Sequence, residues 1–274
     1  MKTTIGIPLS ALLATAAAAP ASPPVYRTMP APGVRHYLYE VIQTISGTTR
    51  KGYRTEFDIE AKGDALFAII RTTAELDKGG WKPVAPDAEC RKAMKGSDKS
   101  LARVQLYPVD GRTAQGLGRS FLATCAPPAV FFPLTDILNV MIIPAPGPFR
   151  ASELRTAGEV LSYHGFDASY DRAGEHLQES THGGEMRLAA LDQRRAILDW
   201  RPLPADLTLV EKAMQPPTTL QGTEHYAFRV EIDRPTGFID RASTTYDDLD
   251  LKIVGAPDIV PHVLISRTVT IQRQ

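Results

Sequence analysis

The sequence predicts a mainly β fold, an antiparallel curved sheet, sandwich or open barrel carrying one short amphipathic helix. Three observations lead there. Apolar and polar residues alternate with a period of two in one segment after another. Short turn signals join those segments, which favours antiparallel neighbours, and a single stretch departs to the helical period.

The chain opens on something other than a fold element. Met1-Lys2 supplies one positive charge, residues 5–19 form an apolar, alanine-rich run, and Ala19-Pro20-Ala21 offers small side chains at the spacing a signal peptidase reads. Residues 1–21 are therefore expected to be an export signal, and the mature protein to be periplasmic or secreted. Proline is dense over residues 22–33, the composition of an extended linker, so a single β-rich domain is expected over residues 34–274.

The strands follow in order. Tyr53, Thr55, Phe57, Ile59 and Ala61 fall on one face and Arg54, Glu56, Asp58, Glu60 and Lys62 on the other, a strand with one wet side. Lys62-Gly63-Asp64 turns the chain, and residues 65–73 resume as its hairpin partner. Residues 77–100 become polar and basic around Gly79-Gly80, Pro83 and Pro86 and read as a long loop. Ala102, Val104 and Leu106 restart the alternation, up to an Asp110-Gly111 turn. Residues 186–191 and 196–200 flank Asp192-Gln193-Arg194-Arg195 as a second hairpin. Tyr226, Phe228, Val230 and Ile232 then alternate with Arg229, Glu231 and Asp233, ahead of a turn in which Pro235 presets a corner and Gly237 accepts positive φ. Leu249, Leu251 and Ile253, and finally Val263, Ile265, Val269 and Ile271, complete the pattern at about nine or ten strands.

One stretch breaks the period. Leu134, Ile137, Leu138, Met141 and Ile142 stand at helical spacing, with Thr135 and Asp136 near the start and Pro144 past the end. Such a helix must bury its apolar face, and plugging one end or one open face of the sheet is the way this fold would do it. Together with Phe131 and Phe132, the residues Leu134, Leu138, Met141 and Ile142 are expected to line an apolar cavity.

Several function classes are excluded or left without support. Lysine plus arginine and aspartate plus glutamate are balanced at 31 each, so no general attraction to nucleic acid is expected. The apolar residues 129–143 are interrupted by Pro133 and Asp136 and fall short of the ~20 residues a transmembrane helix needs. No nucleophile elbow, Ser-x-x-Lys, His-Glu-x-x-His or Cys-x-x-Cys motif occurs, so no catalytic residue, metal ligand or cofactor is assigned. His182-Gly183-Gly184 lacks a nucleophile to serve and reads as a turn. His164, His176 and His182, near Asp167, Asp171, Glu175 and Glu185, match no compact metal motif and read as solvated side chains on hairpins. Asp247, Asp248 and Asp250 read as a wet strand face that protects an edge. Cys90 and Cys125, an even pair in an exported chain, are expected to form a disulfide worth roughly 4 kcal/mol in the chain-entropy account.

What remains is an exported, non-enzymatic protein whose partner is a hydrophobic small molecule in the cell envelope. An envelope protein docked through exposed strands is the second reading and a secreted hydrolase the third.

Overall fold

In the computed structural model the described residues are 23–84, 102–108, 136–165, 167–172, 175–211, 216–255 and 262–274. The alternating segments all become strands: β1 (Gly33–Ile45), β2 (Thr49–Lys62), β3 (Ala65–Asp77), β4 (Gly80–Pro83), β5 (Ala102–Tyr107), β6 (Val160–Tyr163), β7 (Asp167–Arg172), β8 (Glu175–Ser180), β9 (Gly184–Leu191), β10 (Arg195–Pro202), β11 (Ala205–Glu211), β12 (Thr218–Asp233), β13 (Ile239–Ile253) and β14 (Val263–Arg273). Among the described residues they form one 14-stranded sheet along the path β4-β3-β2-β1-β14-β13-β12-β10-β9-β6. Every pairing is antiparallel.

The sheet is simpler than its strand count suggests. β4 and β5 share one edge of β3, while β10 and β11 share one edge of β12. On the far side β8 pairs with β11 and β9 with β10, then β7 pairs with β8 and β6 with β9. The pairs β6/β7, β8/β9 and β10/β11 are thus three long strands, each bent once, near residues 164, 182 and 203. The bends line up across the sheet, and glycine makes them possible. A Cβ on Gly165 would stand 1.8 Å from the Thr181 carbonyl oxygen, and one on Gly183, whose φ is +87°, would stand 2.3 Å from that of Tyr163. The fragment His182-Gly183-Gly184 is part of this bend, and the close approach of the Tyr163 and Arg201 carbonyls accounts for both of its glycines.

Laid flat, ten rows of strands would span roughly 43 Å at about 4.8 Å per row. Instead their inward side chains belong to one apolar cluster. Tyr37, Tyr39, Phe57, Ile59, Leu66 and Ile70 from one end of the sheet join Met186, Leu188, Trp200 and Phe228 from the other. The sheet is therefore curved, and it is open, with β4/β5 and β6/β7 as its edges. The chain passes from one edge to the other through residues 136–154, a strap that fills the concave face. Residues 136–141 are helical and Ala151–Glu153 form a 3-10 turn. Ile137, Val140, Met141, Ile142, Ile143, Phe149, Ala151 and Leu154 of the strap are buried in the same cluster as the sheet. Phe149 packs at 5.0 Å on Trp200, which stacks on Phe228 at 5.8 Å and donates its indole N–H to the Tyr163 hydroxyl at 2.8 Å.

Two expectations change. The long loop expected at residues 77–100 contains β4, four residues too short to carry an alternation; it pairs with β3, and Trp81 lies under the Arg54 guanidinium at 4.5 Å. Residues 25–31, expected within an extended linker, pack against the turn after β12. Tyr26 is buried there, the Arg234 side chain donates to the Val25 carbonyl at 2.7 Å, and the Ala31 N–H donates to the Thr236 carbonyl at 2.7 Å. Cys90 and Cys125 lie outside the described residues. No helix among the described residues is long and apolar enough to cross a membrane.

Candidate functional site

The strands that build the concave face each have an inward parity, and on three neighbours that parity includes a charge. Arg267 on β14 stands in line with Ile265 and Val269, Glu224 on β12 with Tyr226 and Phe228, and Asp247 on β13 with Leu249 and Leu251. The register sets Glu224 opposite Leu249 and Tyr226 opposite Asp247, so the two acids are diagonal neighbours on one face. β8 brings Glu179 from the bent part of the sheet, β1 brings Tyr39, and the helical stretch of the strap brings Asp136.

Arg267 is the hub. Its Nη2 donates to Asp136 Oδ2 at 2.6 Å, and its Nη1 lies 3.2 Å from Glu224 Oε1 and 3.5 Å from Asp247 Oδ2. The Tyr39 hydroxyl donates to the same Asp136 oxygen at 2.5 Å. The side chains of Arg267 and Asp247 are only 9% and 2% exposed, so these charges act in a low dielectric. Two polar atoms of the cluster are buried without a hydrogen-bond partner, Asp247 Oδ1 and Arg267 Nε.

A bulge aims one of these acids. Between Ser243 and Asp248 the β13–β14 register shifts, and β12–β13 shifts between Ala227 and Phe228, so β13 carries one extra residue there. Counting by twos from the inward Ala242 would send Asp247 outward; the bulge turns it in. The expectation that Asp247 belongs to a wet, edge-protecting face is corrected accordingly. Asp248 and Asp250 are exposed as expected, where they bind Ser266 Oγ at 2.6 Å and His262 at 2.5 Å, but β13 lies between β12 and β14 and is no edge.

Burial governs the proton affinities here. Desolvation raises Asp136, against the opposing pull of Arg267 and of the Tyr39 hydrogen bond. Desolvation, then the negative charge of neighbouring acids, carries Glu179 and Glu224 up to about 7 and Asp247 to about 8, with Arg267 pulling the other way. Burial also works against the Arg267 charge, yet the surrounding carboxylates hold it well above its ordinary value. A side-chain hydrogen bond between Glu224 and Asp247 favours the charged form of Glu224 and the neutral form of Asp247. The arrangement can therefore hold and exchange protons near neutral pH, and one guanidinium is divided between strap and sheet. No group of three or more His, Cys, Asp or Glu side chains with the geometry to hold a metal ion occurs among the described residues.

The residues expected to line a cavity are only partly on view. Met141 and Ile142 are buried in the core and Leu138 is half-buried against it, while Phe131, Phe132 and Leu134 lie outside the described residues. A crevice beside Met141, bounded by Tyr37, Ile59, Leu66 and Phe238, has room for about one water. Among the histidines, His182 pairs with Asp206 at 2.9 Å on the surface and His164 is exposed. Sequence reading missed Arg267, Glu224, Asp247 and Glu179. For Arg267 the available signal was a charge between Ile265 and Val269, apolar on both sides at a spacing of two. No protein-family model matches the chain, and a search among curated proteins finds no significant relative.

Proposed function

We propose that the chain is an exported, non-enzymatic binding protein of the cell envelope that takes an apolar guest on its concave face, with the strap as a displaceable cover. The observation that carries this reading is the place of the Arg267–Asp136 pair. A core built for stability alone is served as well by apolar side chains, because burying an ion pair sacrifices hydration that the pair seldom recovers in full. Here the charges join the sheet to the segment that, among the described residues, fills its open face. That supports a contact built to be released.

The test is uptake by the protein expressed with its native N-terminus. A fluorescent fatty acid should bind with micromolar affinity and quench Trp200, which lies against the strap through Phe149. Solvent extraction followed by mass spectrometry should recover an apolar molecule from the purified protein. Absence of both, across pH 6–9, overturns the reading. A second reading, docking of an envelope protein by strand addition, is favoured by the sheet's two edges and by Val160 on β6, an exposed apolar residue at one of them.

A further inference from the structure

We infer that the strap is held by a proton-operated latch: Arg267 is shared between Asp136 on the strap and the Glu224–Asp247 pair on the sheet, and loss of the pair's proton draws the guanidinium off the strap. This deepens the proposed function by naming how the cover is regulated, and rests on it only for the guest.

Four observations carry the latch. The guanidinium already reaches both ways, with Nη2 on Asp136 at 2.6 Å and Nη1 at 3.2 and 3.5 Å from Glu224 and Asp247. The second arrangement has contacts waiting for it, since Arg267 Nε lacks an acceptor and Asp247 Oδ1 lacks a donor. A shift toward Asp247 would pair the two orphans while giving up Asp136, and a switch needs this kind of differential contact between its two states. The charge balance also demands a proton. Among the described residues Asp136, Glu179, Glu224 and Asp247 face a single cation, Arg267, and the remaining titratable neighbours are Tyr39, Tyr163 and Tyr226, which burial keeps neutral. Fully ionised, the cluster would leave three negative charges uncompensated in a desolvated interior. Finally, Asp136 lies in the helical stretch of the strap, and the Tyr39 hydroxyl donates to it as well. Without the guanidinium the strap keeps its apolar contacts but loses its charged anchor.

The test is amide hydrogen exchange of the wild-type protein from pH 6 to pH 9, expressed as protection factors so that the intrinsic pH dependence of exchange drops out. Protection over residues 137–143 should fall about tenfold per pH unit for each proton released on opening, while β14 near Val269 and Ile271 stays protected. The variant Glu224→Gln/Asp247→Asn, which removes buried acids and so should not impair folding, should hold the strap protected at pH 9. A flat wild-type profile, or strap and β14 losing protection together, overturns the latch. So does a folded double variant that keeps the wild-type pH response. Should the double variant not fold, the wild-type profile decides alone. If protection responds to pH as described but no fluorescent fatty acid binds at any pH, the binding function fails and the latch stands. If the probe binds while protection is flat, the reverse holds.

Discussion

Arg267 and Asp136 are 131 positions apart in the chain and meet at 2.6 Å inside the curved sheet, where the Tyr39 hydroxyl closes on the same carboxylate oxygen. The contact ties the edge-to-edge strap to the middle of the sheet. It is also the meeting point of charges from the strap, β8, β12, β13 and β14, so one substitution here tests several elements together.

Asp136→Ala removes the strap's half of that contact. Breaking a wholly isolated buried pair costs about 3–5 kcal/mol. Arg267 keeps Glu224 and Asp247 nearby, so the expected loss is smaller, about 2 kcal/mol, or roughly 4–8 °C in melting temperature for a domain of this size. Calorimetry reads it directly. A melting temperature within a degree of the wild type would mean that the pair contributes nothing.

Stability should fall as the solution becomes alkaline. Glu179, Glu224 and Asp247 have folded-state values raised to about 7, 7 and 8. A raised carboxyl binds its proton more tightly in the folded chain, so its contribution is complete below the unfolded value and is lost as pH climbs through the folded one. Urea denaturation should therefore give a midpoint stability higher at pH 5.5 than at pH 8.5, by an amount on the order of 3 kcal/mol. Glu224→Gln should shrink the difference. On the acid side the slope reverses weakly, because backbone N–H groups of Arg194 and Arg195 hold Asp192, and those of Arg155 and Thr156 hold Glu159, below their ordinary values. A stability maximum near pH 8 would contradict the proton affinities assigned to the cluster.

Local alternation made much of this architecture legible. Residues 53–61 and 65–73 become β2 and β3, and the hairpin expected around residues 192–195 is β9/β10. The helix at residues 134–142 appears, within the described residues, as the turn at 136–141. The cluster was not legible, for two physical reasons. Arg267 and Glu224 sit at inward positions that polarity rules assign to the wet face, and only the tertiary partner makes such a position tolerable. Asp247 reaches the interior through a bulge, and a bulge changes parity without leaving any mark in composition. β4 escaped because Gly80-Trp81-Lys82-Pro83 offers no alternation; its pairing with β3 creates it.

Gly222 provides an independent check on how β12 and β13 cross beside the cluster. A Cβ there would lie 1.8 Å from the Asp250 carbonyl oxygen, which is backbone and cannot swing aside. Gly222→Ala should therefore separate the strands next to Glu224 and destabilise the fold by several degrees, although alanine ordinarily suits a strand better than glycine. An unchanged melting temperature would show that the crossing is looser than described.

The strap's apolar half can be tested apart from its charges. Phe149 packs edge-on against Trp200 at 5.0 Å and against Tyr163 at 5.5 Å, wholly inside the core. Phe149→Ala should cost about 3–5 kcal/mol, the usual penalty for a large side chain whose space does not collapse, and lower the melting temperature by roughly 10 °C. Leu138→Ala, on the half-buried side of the helical turn, should cost distinctly less. The cavity left by Phe149 is lined by aromatic rings, and an apolar cavity of that kind stays dry and accepts small apolar molecules. Benzene or a similar ring added to Phe149→Ala should then restore part of the lost melting temperature and perturb Trp200 fluorescence, whereas the wild type should show neither effect. If benzene rescues nothing while the variant remains folded, the sheet has closed over the gap, and the strap's packing is more plastic than a fixed core would allow.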